Sequence, residues 1–377
     1  MTQGNQELFR IGLIGCGGIS YRHGRAGTAS DKARIVACCD IREAVAKEWS
    51  AEYGCEAFYT DFEEMIRVHD LDGVALVTWP SQHREQIERC LNAGARNILC
   101  EKALTVTGQD AVEIAELVES AGAVLMEGFM YRHHPLMAKL ERLVGAGKIG
   151  RVDSVNATFS NFDPEEDDPT DPDRNWSRDT ARAGGTPWNT LCYAVNAANH
   201  FASVAAGGRW TGLGVNGSSE EIPADAGLMA ARPVRVFCSG RLSEKYGTIF
   251  RQFGLIEYDS GCIGIVESSS QAYTSEALSI TGSEGRLYVK RAWRPYDDTV
   301  IEHQYGSRLY DRYEVPSADI FRLQMENFVD VARGVSQPVV PLTQSVVNMY
   351  TLEALTTSVL EHRPVDVELP ATLVASA

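Results

Sequence analysis

The sequence predicts an α/β protein of two domains: a doubly wound parallel sheet, followed by an α+β domain with a large, mainly antiparallel open sheet. Up to residue 130, short apolar runs alternate with segments of helical period, a pattern typical of parallel strands joined by helices. Beyond residue 150, apolar and polar residues alternate between turn signals such as Asp259-Ser260-Gly261, a pattern typical of antiparallel strands. A chain of 377 residues also exceeds what one hydrophobic core usually serves. We therefore predict one domain over 1–130 and a second over 131–377.

The first domain is predicted in the order strand, helix, strand, with a glycine-rich turn between the first two elements. Its remaining elements are predicted as helix 42–53, strand 58–59, helix 62–68, strand 73–78, helix 82–93, strand 97–100, helix 108–120 and strand 124–126. Gly54, Gly94 and Gly122 follow the helices as stop signals. A helix over 136–144 then leads into the second domain.

The second domain is predicted as one sheet interrupted and closed by helices. Its strands are predicted at 151–162, 209–215, 234–242, 255–258, 262–270, 277–281 and 285–289, and its helices at 187–201, 317–333 and 345–361. The acidic segment Asp163–Asp173 between them is interpreted as a solvated loop, because nothing in it fixes a ligand geometry for a cation.

Composition limits the classes of function. The chain carries 51 acidic and 35 basic residues, a net charge of −16, which argues against nucleic acid or an anionic membrane as partner and favours a small neutral substrate. The N-terminus lacks the basic and apolar parts of a signal peptide, so we expect a cytoplasmic protein. The nine cysteines show no metal-binding spacing and are interpreted as reduced packing residues, and we expect no metal site.

The glycine-rich turn points to a dinucleotide. The apolar run that ends at Ile14 breaks at Gly15, Gly17 and Gly18, and a helix opens at Ser20. In a Rossmann fold the first glycine permits a tight turn, the second lets backbone N–H groups approach a pyrophosphate, and the helix N-terminus favours its charge. Ser20 stands in place of the third glycine, so the motif alone is weak and an ordinary strand-to-helix turn remains an alternative.

Asp40 strengthens the dinucleotide interpretation. It ends the second apolar run about 20 residues after the glycines, where such folds place the acid that binds the adenosine ribose. A carboxylate accepts a hydrogen bond from a free 2′-OH and repels a 2′-phosphate, which favours NAD. Arg42, two residues later, suits that phosphate, so NADP remains open.

Polar loops follow the later parallel strands, at the edge where ligands bind in this fold. Glu101-Lys102 ends one strand, and a lysine there can hydrogen-bond a substrate hydroxyl and stabilise a developing alkoxide while Glu101 holds the ammonium. The alternative is an exposed lysine at a strand end.

The segment Ala183–Phe201 is the second candidate for chemistry. Thr186 suits an N-cap and Pro187 the first helical position, so Asn189 and Tyr193 share one helix face as i and i+4. An ammonium nearby would lower the pKa of a tyrosine, about 10 when unperturbed, towards that of a useful base. Taken alone, Tyr193 would be interpreted as a core residue.

Several motifs together resemble the Gfo/Idh/MocA oxidoreductases. They are GCGGIS, CEKAL at 100–104, EGFMYRHHP at 127–135, AGGTPWNTLCY at 183–193 and ITGSEGRLYV at 280–289. The resemblance implies an N-terminal Rossmann domain, a C-terminal open sheet often used for dimerisation, and NAD(P)-linked oxidation or reduction of sugars, cyclitols or related alcohols. It is nearest to the branch of glucose–fructose oxidoreductase, dihydrodiol dehydrogenase and xylose dehydrogenase.

The resemblance also implies roles for particular residues. The family's EKP lysine falls on Lys102, with Ala103 in place of proline, and its last histidine falls on Tyr193, as in the branch where tyrosine takes the proton. Asn189 replaces the usual aspartate and Leu191 the usual glycine, which favours a substrate with an apolar group. The predicted cofactor contacts are Gly15, Gly17, Gly18, Ile19, Ser20, Asp40, Ile41, Arg42, Thr78, Trp79, Pro80, His83, Glu101 and Lys102. The predicted substrate contacts are Lys102, Tyr131, Arg132, Trp176, Trp188, Asn189 and Tyr193.

The function predicted from these residues is reversible hydride transfer between NAD(P) and a secondary alcohol of a sugar, glycoside or cyclitol. Tyr193 is the general acid/base, Lys102 polarises the oxygen and Asn189 orients it. Two alternatives are kept: an NAD-dependent redox glycosidase, and a non-catalytic ligand-sensing regulatory protein of the same fold. A homodimer or homotetramer is expected, without nucleic-acid or membrane partners.

Overall fold

The computed structural model describes residues 7–162, 174–208, 229–306 and 308–374. The predicted strand 209–215 and the acidic segment Asp163–Asp173 lie outside these ranges. Contacts group the chain into two compact units. The first comprises the described residues up to Thr105, Asp110–Met130 and Asp319–Pro338; the second comprises Val106–Gln109 and the described parts of Tyr131–Ala318 and Val339–Ala377. The domain boundary at residue 130 stays a prediction, since these units are not contiguous in sequence.

The first unit is built on a sheet of six parallel strands in the order β3-β2-β1-β4-β5-β6. The strands are β1 Phe9–Ile14, β2 Ala33–Cys39, β3 Ala57–Tyr59, β4 Gly73–Leu76, β5 Asn97–Glu101 and β6 Val124–Gly128. The central strands are almost wholly buried, as their continuous apolar runs require in a sheet covered on both faces. The predicted doubly wound parallel sheet is thereby confirmed.

Helices follow the strands of this sheet as predicted. They are α1 Ser20–Ala29, α2 Glu43–Tyr53, α3 Phe62–Val68, α4 Pro80–Ala93 and α5 Gly108–Ser120. Gly54 and Gly94 adopt the left-handed conformation at the ends of α2 and α4, which confirms them as helix stops. A later helix, α8 Ile320–Ala332, belongs to the first unit and packs against α1.

The second unit holds the large sheet, in the order β15-β14-β13-β12-β7-β10-β9-β8-β16 with β11 paired to β7. Neighbouring strands pair antiparallel except β7 and β10, which pair parallel, so the predicted mainly antiparallel sheet is confirmed. Its strands are β7 Val152–Phe162, β8 Pro233–Leu242, β9 Ile249–Tyr258, β10 Ile263–Ser269, β11 Gln271–Ser275, β12 Leu278–Gly282, β13 Arg286–Val289, β14 Thr299–Tyr305, β15 Arg308–Val315 and β16 Val365–Asp366. The sequence analysis missed β11, β14, β15 and β16.

The helices of the second unit are α6 Pro135–Gly145, α7 Cys192–Ala205, α9 Leu342–Glu361 and α10 Ala371–Val374. Helix α7 is buried along its whole length from Cys192 to Val204, between β7, β10, α6 and α9. This burial accounts for the predominance of apolar residues in the helix, whose buried polar residues Asn196, Asn199 and His200 are hydrogen-bonded.

The predicted helix 187–201 begins differently from expectation. Its first turn, Pro187–Leu191, is π-helical and precedes α7. Thr186 takes the N-cap position without capping, because its hydroxyl donates to the Ile249 carbonyl at 3.0 Å and accepts from the Gln252 amide at 3.0 Å. The predicted capping hydrogen bond is therefore wrong.

Candidate active site

The glycine turn of the first unit has the geometry that a dinucleotide needs. Gly15 has φ +96°, and a Cβ there would lie 2.7 Å from the Val77 carbonyl oxygen, so only glycine fits. At Gly17 and Gly18 an added Cβ would meet nothing within 4 Å, which shows open space above the turn. Ser20 is buried and donates to the Gly17 carbonyl at 2.5 Å at the start of α1. The turn therefore leaves room for a pyrophosphate.

Asp40 lies directly after β2, next to that turn. Its carboxylate accepts from the Cys16 N–H at 3.1 Å, from the Arg42 N–H at 2.9 Å and from Arg42 Nε at 3.2 Å. The acid predicted for the ribose thus also fixes the backbone of the glycine turn. Ile41 beside it is 86% exposed and offers an apolar surface at the edge of the sheet.

The loop before α4 is tied to the loop after β5 by His83. This histidine is fully buried, and its Nδ1 lies 3.0 Å from the Ala103 carbonyl while Nε2 lies 3.2 Å from the Thr78 carbonyl. Burial lowers the pKa of His83, against the opposing effect of these carbonyl groups. The structure thus gives His83 a role in joining the two loops, and its direct contact with a cofactor stays a prediction. Trp79 is half-buried and Pro80 opens α4.

Glu101 ends β5 and is held by two neighbours. Its Oε1 lies 2.8 Å from Nε2 of His23, and its Oε2 accepts from the Lys102 N–H at 3.2 Å. Burial would raise the pKa of Glu101, but His23 and the Lys102 charge outweigh it and hold that pKa below its usual value. Lys102 is half-buried and precedes a cis peptide bond to Ala103. A buried carboxylate therefore holds the backbone of the candidate catalytic lysine.

In the second unit, Tyr193 lies near the start of α7 in an aromatic environment. Its ring centroid is 5.1 Å from that of Phe159, 5.7 Å from that of Tyr131 and 6.3 Å from that of Trp293. Tyr193 is 5% exposed, so these rings fix its position and leave little of it open to solvent.

Tyr131 and Arg132 are anchored in the interior of the second unit. The Tyr131 hydroxyl donates to Asn196 Oδ1 at 2.5 Å, and Arg132 donates to Asn196 at 3.2 Å and to His200 Nδ1 at 2.9 Å. His200 in turn contacts Glu141 at 2.5 Å, and burial raises the pKa of Glu141 to about 8. Both predicted substrate contacts are thus buried and hold α7 in place. Their contact with substrate stays a prediction that this burial disfavours.

Asn189 lies in the π-helical turn and lines a small cleft of about 50 Å³ that is partly open to solvent. The side chains that line the cleft are mostly hydroxyls and amides: Asn161, Ser177, Thr186, Thr190, Tyr246, Thr248 and Ser270, with Arg178 the charged residue among the lining residues described. Trp188 and Leu191 are buried and Trp176 is half-buried. Hydroxyls and amides suit a ligand rich in hydroxyl groups.

The two glycines before this turn are required by packing. A Cβ on Gly184 would lie 2.7 Å from both the backbone nitrogen and the carbonyl oxygen of Asp179. Gly185 has φ +108°, in the region that favours glycine. The pair lets the 3₁₀ turns over 174–182 fold back against the start of the π-helical turn that carries Asn189.

The structure gathers the predicted cofactor residues at the carboxyl edge of the first sheet, and Tyr193 with Tyr131 in the second unit. Lys102 and Tyr193 belong to different units, so their joint action stays a prediction.

Sequence reasoning missed His23 and Asn196. A signal for His23 was present, because it shares with Ser20 the face of α1 that carries small residues, where a histidine needs a partner.

No helix in the described ranges combines the length and apolar character needed to cross a lipid bilayer.

The fold and the glycine turn define a dinucleotide-binding protein with a Rossmann domain. A family model described as "Oxidoreductase family, NAD-binding Rossmann fold" matches residues 9–129, and the C-terminal domain model of the same family matches residues 137–212. Together they match just over half of the chain. The chain belongs to the Gfo/Idh/MocA oxidoreductase family, and the predicted family, the NAD(P) cofactor and the enzyme class of NAD(P)-dependent oxidoreductase are confirmed.

Individual relatives are similar over most of their length. The D-xylose 1-dehydrogenase (NADP(+)) 2 of Haloferax volcanii is 28% identical over 92% of this chain and 95% of that protein. The scyllo-inositol 2-dehydrogenase (NAD(+)) of Bacillus subtilis is 22% identical over 97% of this chain and 98% of that protein. The solved structure of KijD10, a 3-ketoreductase from Actinomadura kijaniata in complex with NADP and TDP-benzene, has a TM-score of 0.78 at 20% identity. It covers 93% of this chain and 98% of that one, and shows the shared fold.

Proposed function

We propose that the chain transfers a hydride between NAD(P) and a secondary alcohol of a sugar, glycoside or cyclitol. The observation that carries the proposal is Lys102, which follows β5 directly and whose backbone N–H donates to the buried carboxylate of Glu101, in a chain of an NAD-binding oxidoreductase family. The relatives named for D-xylose and scyllo-inositol support a polyhydroxylated substrate. The cleft beside Asn189 supports the same substrate class, because hydroxyls and amides line it.

The cofactor would be held by residues at the carboxyl edge of the first sheet. The N–H groups of the glycine turn, with the N-terminus of α1, suit the pyrophosphate, and Asp40 suits the adenosine ribose. The exposed side chain of Ile41 suits the adenine ring. When bound, the nicotinamide supplies the hydride acceptor or donor.

Lys102 and Tyr193 have complementary roles in this proposal. The Lys102 ammonium donates a hydrogen bond to the reacting oxygen and stabilises the negative charge that develops there. The Tyr193 phenol takes the hydroxyl proton during oxidation and returns it during reduction. Asn189 orients the same hydroxyl through its amide, since it carries no charge that would let it serve as a base.

A substrate screen tests the proposal. Purified protein is incubated with pentoses, hexoses, inositols and aryl glycosides in the presence of NAD+ or NADP+, while the absorbance of the reduced cofactor is followed. Net cofactor reduction with at least one neutral polyol is the expected result. Release of free sugar from a glycoside without net reduction would establish the redox glycosidase instead. Ligand binding without any turnover would establish a regulatory protein.

The second unit also supports the proposed homo-oligomer. Phe237, Leu255 and Ile265 lie directly opposite one another on β8, β9 and β10, and their exposed fractions are 44%, 46% and 36%. Helices α7 and α9 pack against this sheet, whereas alternate residues of β8 and β9 are exposed. A contiguous apolar row of this kind favours association with a second copy. The cytoplasmic location stays a prediction.

A further inference from the structure

A buried histidine–carboxylate hydrogen bond joins α1 to the end of β5. His23 Nε2 lies 2.8 Å from Glu101 Oε1, and the two side chains are 2% and 7% exposed. The ring of Phe321 on α8 covers His23, with ring centroids 5.5 Å apart at an interplanar angle of 75°. Water is thereby kept from one side of the pair.

The pair lies directly next to Lys102. The second oxygen of Glu101 accepts from the backbone N–H of Lys102 at 3.2 Å, so a single carboxylate connects His23 with the main chain of the lysine. Removing two polar groups from water is costly, and a buried pair often stabilises a fold less than apolar residues of similar size. Stability alone is therefore a weak reason for this pair.

We propose that His23 is a positioning residue, which holds Glu101 ionised and hydrogen-bonded to the Lys102 backbone, so that the lysine keeps its place at the end of β5. The inference rests on the proposed role of Lys102 as the group that polarises the substrate oxygen. His23 itself is fully covered and acts only through Glu101.

The direction in which the pKa of Glu101 changes when His23 is removed follows from the opposing effects of burial and of its neighbours. Burial raises the pKa of this carboxyl group, and the hydrogen bond and charge of His23 lower it, with help from Lys102. Without His23, burial is opposed mainly by Lys102, so Glu101 takes up a proton at a higher pH. The titratable groups of the described residues around Glu101 are His23 on α1, Lys102 and Cys100 at the end of β5, His83 on α4, and Glu127 on the neighbouring β6.

Three variants separate this role from simple packing. His23→Leu removes the donor and retains an apolar side chain against Phe321. His23→Gln retains an N–H donor near the position of Nε2. His69→Leu is the control for the loss of a histidine elsewhere in the unit: His69 Nε2 lies 3.3 Å from Glu56 Oε2, next to the start of β3, but Glu56 is 51% exposed.

The first readout is kcat/KM as a function of pH, with the substrate identified in the screen. We expect the acid limb of His23→Leu to move to higher pH. Each pH unit of movement lowers kcat/KM about tenfold on the acid side, and the rate recovers towards the wild-type value at high pH. His23→Gln and His69→Leu are expected to follow the wild-type profile. A uniform loss for His23→Leu at every pH, or a profile that coincides with the wild type, would overturn the proposal.

The second readout needs no substrate. The melting temperature of His23→Leu is compared with that of the wild type between about pH 5 and pH 8. A raised pKa of Glu101 contributes stability that is lost as pH rises, so the difference in melting temperature between the variant and the wild type should grow with pH. A constant difference contradicts the inference.

If His23→Leu does not fold, Glu101→Gln replaces it. This variant removes the charge permanently, so it should lower kcat/KM at every pH, and an unchanged rate would overturn the proposal. Absence of wild-type turnover would instead refute the proposed function.

Discussion

At the scale of single residues, the phenol of Tyr193 can be tested without disturbing its ring. Tyr193→Phe retains the packing against Phe159, Tyr131 and Trp293 and removes only the group that would exchange the proton. We expect kcat to fall by about 10²–10⁴-fold, the usual contribution of a general acid/base. Binding of NADH, measured by fluorescence titration, should be unchanged.

Tyr258→Phe is the matched control for that variant. Tyr258 is also buried and donates through its hydroxyl to Asn199 of α7 at 2.8 Å, yet it has no role in the proposed chemistry. Its loss should cost about 1 kcal/mol of stability and leave kcat near the wild-type value. Equal rates for Tyr193→Phe and wild type would remove Tyr193 from catalysis.

Asp40 determines the predicted preference for NAD. Since Asp40 also holds the Cys16 N–H, Asp40→Ala would loosen the glycine turn, whereas Asp40→Asn retains an acceptor there and removes the charge. We expect NADH to bind about tenfold more weakly to Asp40→Asn, because a charged hydrogen bond is lost. NADPH should bind as well or better, because the repulsion of its 2′-phosphate is gone.

Fluorescence titrations with both reduced cofactors measure this change. Arg42→Ala is the complementary variant, since it removes the cation that pairs with Asp40 and would meet a 2′-phosphate. It should weaken NADPH more than NADH. A parallel loss of both cofactors in Asp40→Asn would contradict the assignment of Asp40 to the ribose.

The sequence identified which residues belong to the candidate site better than it predicted their burial and their hydrogen-bond partners. Gly15 and Asp40 were identifiable because local geometry restricts what can stand there, and both lie where a dinucleotide fold needs them. The burial of His83 and Arg132 depends on carbonyls and amides from distant segments, which no local pattern encodes. His23 was overlooked although it lies on the face of α1 that carries small residues, because its partner Glu101 lies 78 residues away.

At the scale of secondary-structure elements, the Gly184-Gly185 pair permits the approach to α7. A Cβ on Gly184 would lie 2.7 Å from the backbone of Asp179, where no flexible side chain can yield. Gly184→Ala is therefore expected to cost about 1–3 kcal/mol of stability, as overpacking usually does. It should also reduce activity by displacing the turn that carries Asn189.

Denaturant unfolding and kcat/KM measure the two effects. Gly145→Ala, at the end of α6, is the control, because an added Cβ meets nothing within 4 Å there. This change should be neutral or stabilise by up to about 1 kcal/mol. Equal stability of Gly184→Ala and Gly145→Ala would show that the close approach to Asp179 does not determine folding.

The spacing of the apolar residues predicted most of the helices and strands. The predictions were wrong or incomplete where long-range hydrogen bonds or polar strand residues obscure that spacing. The start of the helix after Thr186 was predicted in position but not in type: its first turn is π-helical, and the Thr186 hydroxyl donates to the Ile249 carbonyl, 63 residues away, instead of capping the helix. Strands β14 and β15 carry many charged and polar residues, so their alternation was too weak to recognise before the register with β13 was known.

At the scale of the whole molecule, local sequence could not predict which segments of the chain make up the first unit. Helix α8 returns to that unit nearly 200 residues after Met130, where Lys32 pairs with Asp330 at 2.6 Å. A boundary drawn by the change from parallel to antiparallel patterns assigns this helix to the second domain. The parallel and antiparallel sheets were predictable because each has its own spacing of apolar residues. The return of α8 to the first unit depends on packing alone.

The apolar row of Phe237, Leu255 and Ile265 leads to the prediction for the assembly. Leu255 lies at the centre of the row, opposite both other residues, so Leu255→Asp places a charge where two copies would exclude water. Light scattering after size exclusion should give a multiple of 41.3 kDa for the wild type and a shift towards 41.3 kDa for the variant. Val335→Asp, at a more exposed apolar position in the first unit, should retain the wild-type mass. A monomeric wild type, or a variant that keeps its partners, would exclude this face of the sheet as the interface, because a buried unpaired charge at its centre cannot be tolerated there.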